Sequence, residues 1–389
     1  MGIKVLAYFV ILCSSLINYE IEGIQFSKQE ELQWVNQFKL LKKPSVKAIK
    51  TKYGELYDCV DFYKQPAFDH PLLKTHSSHP QMRPSFIPEW TTTRNVVLVE
   101  NMQLPDEGCP EGTVPIRRWS KDEFIQISRF TKDYVSRSKS NANLQQPGTH
   151  FAIVQTNSDP SKVKYYGVKC DLSVYNPHVT SQQYSSGEMI IQNGNDRIQV
   201  GWTVNPALNK DNRTHLFQYF NAGQSHCFNM LCPGFISVNK DFPVDLVIRN
   251  TSRRGSSVIF AMGPFVYQDP KTGHWWLQVH DVVRPDNILG YWPRELFTGL
   301  ASGATYIAVG GEAYSPPGQP LPPMGNGYYP VEDATLSAFC SSFGVLDANR
   351  KQVSPQQTEK YTDNWHYGVY DREHYDHFGR TVFFGGTTM

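Results

Sequence analysis

Apolar residues recur along this chain in two different rhythms. Leu32, Val35, Phe38 and Leu41 return at helical spacing behind Ser27 and Glu30, which stand three apart as a capping box, and the run ends at Lys42-Lys43. This spacing predicts an amphipathic helix. From Pro44 to about Arg129 the chain is Pro-rich and reads as largely irregular, and the polar stretch Thr131 to Gly148 reads as a linker closing on Pro147-Gly148. A boundary between two parts is therefore placed near Asn141. Beyond it, short alternating segments bounded by turn residues predict an all-β sandwich or barrel. In the clearest of them, Glu188 to Val204, Asn193-Gly194 supplies a tight turn. On the second strand Ile198, Val200, Trp202 and Val204 share one face, leaving Gln199, Gly201 and Thr203 on the other. If Gln192 opposes Asn195 across the turn, Glu188 lies directly opposite Gln199. A second hairpin is expected from Phe265 to His280 through Pro270-Lys-Thr-Gly273, and Pro293 can begin a short helix through Leu300.

Composition supports the β reading. Of 389 residues 19% are charged and 13% aromatic, with 28 Gly and 26 Pro, which favours strands and turns in two domains over helix bundles. The formal net charge is +1, and no basic block interleaves with aromatics, so nucleic acid is excluded as a partner. Met1 to Asn18 carries one lysine and then the apolar run Val5 to Leu12, too short to span a bilayer and long enough for a secretory signal. The expected signal peptide is 1–23, ending at Gly23, with a buried N-terminal strand as the alternative. Removal leaves no membrane segment.

Loss of Cys13 with the signal leaves six cysteines, an even number that suits disulfides in an exported chain. Cys59 and Cys109 can close within the first part, Cys227 and Cys232 can clip a turn, and Cys170 and Cys340 remain. The sequons at Asn212 and Asn250 agree with export to the extracellular space. There is no His-Glu-x-x-His, no Gly-x-Ser-x-Gly and no phosphate loop, and the 12 histidines show no metal-ligand spacing. No cofactor or metal is expected. His70, His76 and His79 crowd the first part and suit an acid switch, although surface histidines without a role fit the same pattern.

The string Cys59-Val-Asp-Phe-Tyr-Lys-Gln-Pro-Ala-Phe-Asp-His-Pro-Leu-Leu-Lys74, with Gln81-Met-Arg-Pro-Ser85 and Cys109 to Arg118, resembles the activation domain of the plant neprosin family. Val200-Gly-Trp202, Cys227 to Phe235, Trp275-Trp276, Gly290-Tyr-Trp-Pro293, Gly310-Gly-Glu312 and Phe384-Gly-Gly386 resemble its peptidase domain. The resemblance implies a pro-domain of mixed α+β structure over 24–140 and an antiparallel β-sandwich of the glutamic peptidase type over 141–389. It further implies a zymogen that its own N-terminal domain keeps inactive, and endoproteolysis of proline-containing peptides, after proline, at acidic pH. By residue, Glu312 in Val309-Gly-Gly-Glu matches the family's second catalytic glutamate, although Val309 stands where Trp is usual. The first glutamate is replaced by Gln199, in Ile198-Gln-Val-Gly-Trp202.

An amide donates hydrogen bonds at any pH, and fungal glutamic peptidases use one Gln and one Glu, so Gln199 suits an oxyanion donor beside Glu312 as general base. Glu188 stands where family members usually carry Gln, as if carboxylate and amide had traded strands; a solvated charge at a strand edge is the other reading. Trp202 and Trp292 are candidates to line a proline pocket, and Trp202 also reads as core. Family members usually place a partner for Cys340 near the C-terminus, where this chain has Glu373-His-Tyr-Asp376, and the resemblance then leaves Cys170 as its partner. A catalytically silent extracellular protein that binds peptide or glycan in the same cleft is the rival function.

Overall fold

The computed structural model describes residues 27–88, 97–98, 103–139, 147–223, 225–280 and 287–387; the expected signal peptide and the boundary near Asn141 lie outside them. The N-terminal part opens with α1 (Lys28–Leu41), whose Ser27 and Glu30 form the capping box expected for it. Its inward face is turned from the expected one, because Trp34 and Phe38 are buried while Leu32 is 60% exposed. A small antiparallel sheet follows, made of β1 (Ser45–Lys50), β2 (Leu56–Asp61) and, beyond the two-residue β3 (Val97–Leu98), β4 (Thr113–Arg117). The segment expected to be irregular therefore holds ordered strands.

The larger correction is α2 (Lys121–Lys139), a helix of 19 residues that runs through the first half of the expected linker. Ser120 and Glu123 cap it reciprocally, at 2.8 and 3.2 Å, and Phe124, Ile127, Tyr134 and Val135 form its buried stripe. Thr131 to Lys139 belong to this helix because Tyr134 and Val135 complete a stripe begun by Phe124; read alone, that stretch is polar.

The rest is an antiparallel sandwich. One sheet has seven strands: β5 (Thr149–Thr156), β7 (Tyr184–Asn193), β8 (Asp196–Val204), β9 (Thr214–Ala222), β10 (Ser225–Phe228), β15 (Tyr306–Tyr314) and β18 (Thr358–Thr362), in the order β10-β9-β8-β7-β15-β5-β18. The facing sheet is built from β6 (Gly167–Ser173), β11 (Ile236–Ser237), β12 (Phe260–Gln268), β13 (Trp275–His280), β14 (Ile288–Trp292), β16 (Ala338–Leu346), β17 (Gln352–Val353), β19 (Tyr367–Arg372) and β20 (Thr381–Gly386), with β3 at its edge on β12. Between them lies a core that includes Met189, Ile191, Val200, Trp202, Val266, Trp275, Trp292 and Phe384. The hairpin expected from Phe265 to His280 is present as β12 and β13. After Pro293 the chain makes two 3₁₀ turns, Arg294–Leu296 and Leu300–Ser302, in place of the expected helix.

Three disulfides join Cys59 to Cys109, Cys170 to Cys340 and Cys227 to Cys232, with Cα atoms 5.4, 5.6 and 5.9 Å apart. The second staples neighbouring strands β6 and β16. Asn212 and Asn250 are both exposed. Among the described residues, no helix is long and apolar enough to cross a membrane.

Candidate active site

The outer face of the seven-stranded sheet gathers the three polar residues singled out in the sequence. The β7–β8 turn closes one residue later than expected: Asn193 pairs with Asp196, so Glu188 faces Gly201, and Gln199 faces Ile190 instead of Glu188. Glu188 and Gln199 nevertheless remain neighbours, because the register differs by two positions and a shift of two keeps every side chain on its face. On its other flank Glu188 faces Gly310 of β15. With hydrogen on both sides of it, the Glu188 carboxyl has room, and Gln199, two residues before Gly201, and Glu312, two residues after Gly310, lean in diagonally from opposite ends.

The two glycines before Glu312 have separate reasons. Gly310 has φ +146°, and a Cβ there would stand 2.2 Å from the carbonyl oxygen of Ala152 on β5. A Cβ on Gly311 would meet Met324 and Phe384 of the inter-sheet core at 2.6 and 2.7 Å. These close approaches seat β15 so that Glu312 emerges on the outer face.

Gln199 donates from Nε2 to Glu188 at 3.2 Å and to Glu312 at 3.5 Å. Glu188 also hydrogen-bonds Glu312 directly. Burial, followed by the charge of Glu312, pushes the Glu188 carboxyl well above the usual carboxylate range. The two acids thus share a site in which one proton is held. Tyr184 donates its hydroxyl to Glu312 Oε1 and stacks on Tyr314 at 5.4 Å. Sequence reasoning missed Tyr184 because its relation to Glu312 depends on β7–β15 register alone.

The site is closed by α2. The Tyr134 hydroxyl donates to Gln199 Oε1 at 3.0 Å, and its ring packs against Tyr219 and Phe228 at 5.1 and 5.0 Å. Phe130 meets Tyr184 and Phe228, and the Arg137 guanidinium lies 4.0 Å from the Tyr314 ring centre. Helix α1 backs this arrangement through the Arg129–Glu31 and Lys132–Glu30 ion pairs. Under this cover Gln199, Glu188 and Glu312 are 0, 1 and 2% exposed.

Other expected site residues fall elsewhere. Trp202 points to the opposite face and donates Nε1–H to the Ser173 carbonyl at 2.8 Å, while Trp292 is buried against Phe235 in the same core. Neither lines the cleft, because both belong to the alternation that fills the space between the sheets. Of the three histidines, His70 meets Ser225 at 2.9 Å and His76 meets Tyr291 at 3.0 Å, both across the contact between the two parts, whereas His79 is exposed.

Two clusters have the makings of cation sites, His76 with His274 and Glu295, and Glu55 with Asp211 and His215. In the first, His274 Nδ1 accepts from the Arg294 amide, which leaves the neutral ring's proton on the other nitrogen. In the second, Asp211 is already engaged by Arg213 and His215. Glu55 accepts from the Thr51 hydroxyl with one carboxylate oxygen, and its other oxygen is buried without a partner.

A cleft that holds two acids and an amide, roofed by a helix from the same chain, defines a precursor whose site is shut by its own N-terminal part. The neprosin profile matches residues 181–387, and the neprosin activation peptide profile matches 48–155. The chain belongs to the neprosin family. Among solved structures it is similar to scytalido-glutamic peptidase bound to a peptide-based transition-state analogue, at 10% identity and TM-score 0.37, over 62% of this chain and 98% of that one. It is also similar to SCP-B, an Eqolisin-family peptidase in complex with the tripeptide Ala-Ile-His, at 10% identity and TM-score 0.36 over the same shares.

Proposed function

We propose that this chain is the precursor of a secreted endopeptidase of glutamic type that cuts after proline at acidic pH. The observation that carries the reading is the convergence of Glu188, Gln199 and Glu312 on one face directly beneath the activation helix. In this scheme Glu312 takes a proton from water as the water oxygen attacks the scissile carbonyl. Gln199 Nε2 holds the resulting oxyanion, and the protonated Glu188 supplies a proton to the departing amine. The swap of amide and carboxyl between β7 and β8 leaves both groups within reach of Glu312, so the replacement at 199 is compatible with catalysis.

Tyr134 supports the preference for proline. Its ring sits in an aromatic enclosure with its oxygen on Gln199. A prolyl residue likewise presents a compact ring with its carbonyl oxygen about 3 Å from the ring centre, by standard bond lengths. The Tyr134 ring thus fills the space a prolyl ring would take, while its hydroxyl engages Gln199 by donating to Oε1, the opposite end of the amide from the Nε2 that a substrate carbonyl would use; this occupation is how the N-terminal part acts as the inhibitor. Three disulfides and two exposed sequon asparagines fit export.

The test is to incubate purified precursor at acidic pH with a proline-containing peptide. Loss of the N-terminal part and a cut after proline are expected, both abolished in Glu312→Gln. A wild-type chain that processes nothing and cuts nothing would sink the reading in favour of a cleft that only binds.

A further inference from the structure

Tyr219 has no role in the chemistry so far. It lies on β9 directly opposite Gln199, on the same face of the sheet, and is 1% exposed. Its hydroxyl is buried and has no hydrogen-bond partner. The ring itself is well held, packing against Phe228 at 4.7 Å and Tyr134 at 5.1 Å. Phenylalanine at this position would keep those contacts and spare the precursor an unsatisfied polar group, so packing does not explain the hydroxyl. The neighbouring Tyr134 hydroxyl donates to Gln199 and makes no hydrogen bond to it.

An orphaned donor beside the proposed oxyanion amide, covered by a residue of the activation helix, becomes useful once that helix has gone. We propose that the Tyr219 hydroxyl is a second oxyanion donor, which joins Gln199 Nε2 on the substrate's carbonyl oxygen in the processed enzyme. The inference rests on the peptidase reading above. As the water oxygen bonds to the carbonyl carbon, the carbonyl π pair moves onto oxygen, and the phenol and amide each direct one hydrogen at it without giving up a proton. When the pair returns and the C–N bond breaks, both donors are left as they began. Burial and the nearby charge of Glu312 hold the phenol protonated far above the working range, while Arg197 opposes them. It remains a neutral donor throughout. Two donors on neighbouring strands make a rigid pair, as an oxyanion site requires.

The experiment compares wild type, Tyr219→Phe and Glu312→Gln, each made as full precursor and activated in acid. Three quantities are read: peptide cleavage kinetics, affinity for a prolyl phosphinate peptide that mimics the tetrahedral anion, and affinity for the product peptide. Tyr219→Phe is expected to lower kcat by about 10²-fold with KM nearly unchanged, the size seen for loss of one oxyanion donor. Phosphinate affinity should fall by a similar factor, product affinity should hold, and the precursor should melt at or above the wild-type temperature. Wild-type kcat and phosphinate affinity in Tyr219→Phe, with Glu312→Gln inactive, would overturn this role and leave the peptidase reading standing. Equal losses in phosphinate and product affinity, or a collapsed melting temperature, would make the hydroxyl a packing group and overturn it as well. If wild type cuts nothing, both readings fall.

Discussion

Glycine on each flank of Glu188 decides how the polar side chains meet, since Gly201 and Gly310 leave the space that its carboxyl fills. A Cβ at Gly201 would stand 2.0 Å from the Gly187 carbonyl oxygen, so the strands close up at this point and carry Gln199 toward the acids. Buried beside Glu312, Glu188 keeps its proton to higher pH than an exposed glutamate. Cleavage should therefore persist until pH rises through this raised value and then fall. In Glu188→Gln the proton donor is gone: kcat is expected to drop by roughly 10²-fold and the high-pH limb of the pH–rate profile to disappear. The sign for stability follows from the same shift. A carboxyl with a raised folded pKa favours folding below its unfolded value and loses that contribution as pH rises, so the Glu188→Gln precursor should gain melting temperature relative to wild type toward neutral pH. Unchanged profiles in both measurements would return Glu188 to a passive role.

At the scale of elements, the contact between the N-terminal part and the sandwich contains its own response to acid. His76 packs edge-on to His274 at 5.1 Å and bonds Tyr291, with Glu295, Arg294 and Asp269 also facing the pair. Burial lowers both imidazoles, His274 to about 4, against the partial opposition of Glu295. A base with a lowered folded pKa stabilises the fold above its unfolded value, 6.5 here, and loses that contribution as pH falls toward about 4. Acid thus forces two cations against each other and loosens the contact. His76→Gln should move the pH midpoint for release of the N-terminal part downward, read by gel after incubation across a pH series, whereas exposed His79→Gln should leave it in place. The three histidines were visible in the sequence as a group; their division into buried and exposed members was not, because it depends on which of them reaches Tyr291 and Ser225. Helix α2 was hidden for a related reason. Its C-terminal half is polar in composition, and the few apolar residues there pack on a surface contributed by β7, β9 and β10, which local sequence does not reveal.

Over the whole molecule, alternation in the strands was enough to read the sandwich and the face that carries Gln199, whereas the exact cross-strand partner of Glu188 turned on one residue of the turn. The inter-sheet core and the roof over the cleft are separate clusters. Trp34, Phe38, Phe124, Ile127, Tyr134 and Val135 from the helices meet Tyr184, Phe217, Tyr219 and Phe228 from the sandwich without joining the main core. This separation lets the roof be weakened while the sandwich beneath it stays intact. Phe124 is 2% exposed and packs on Phe38 at 5.6 Å. Phe124→Ala removes a buried ring, which costs about 3–5 kcal/mol where the site does not collapse. The loss falls on the contact that acid must break, so the precursor should release its N-terminal part at a higher pH than wild type. The activity reached after full processing should equal that of wild type, since the cleft loses none of its own side chains. A fall in final activity, with the release midpoint unmoved, would mean that the helices hold the sandwich itself in shape and that roof and core are one folding unit.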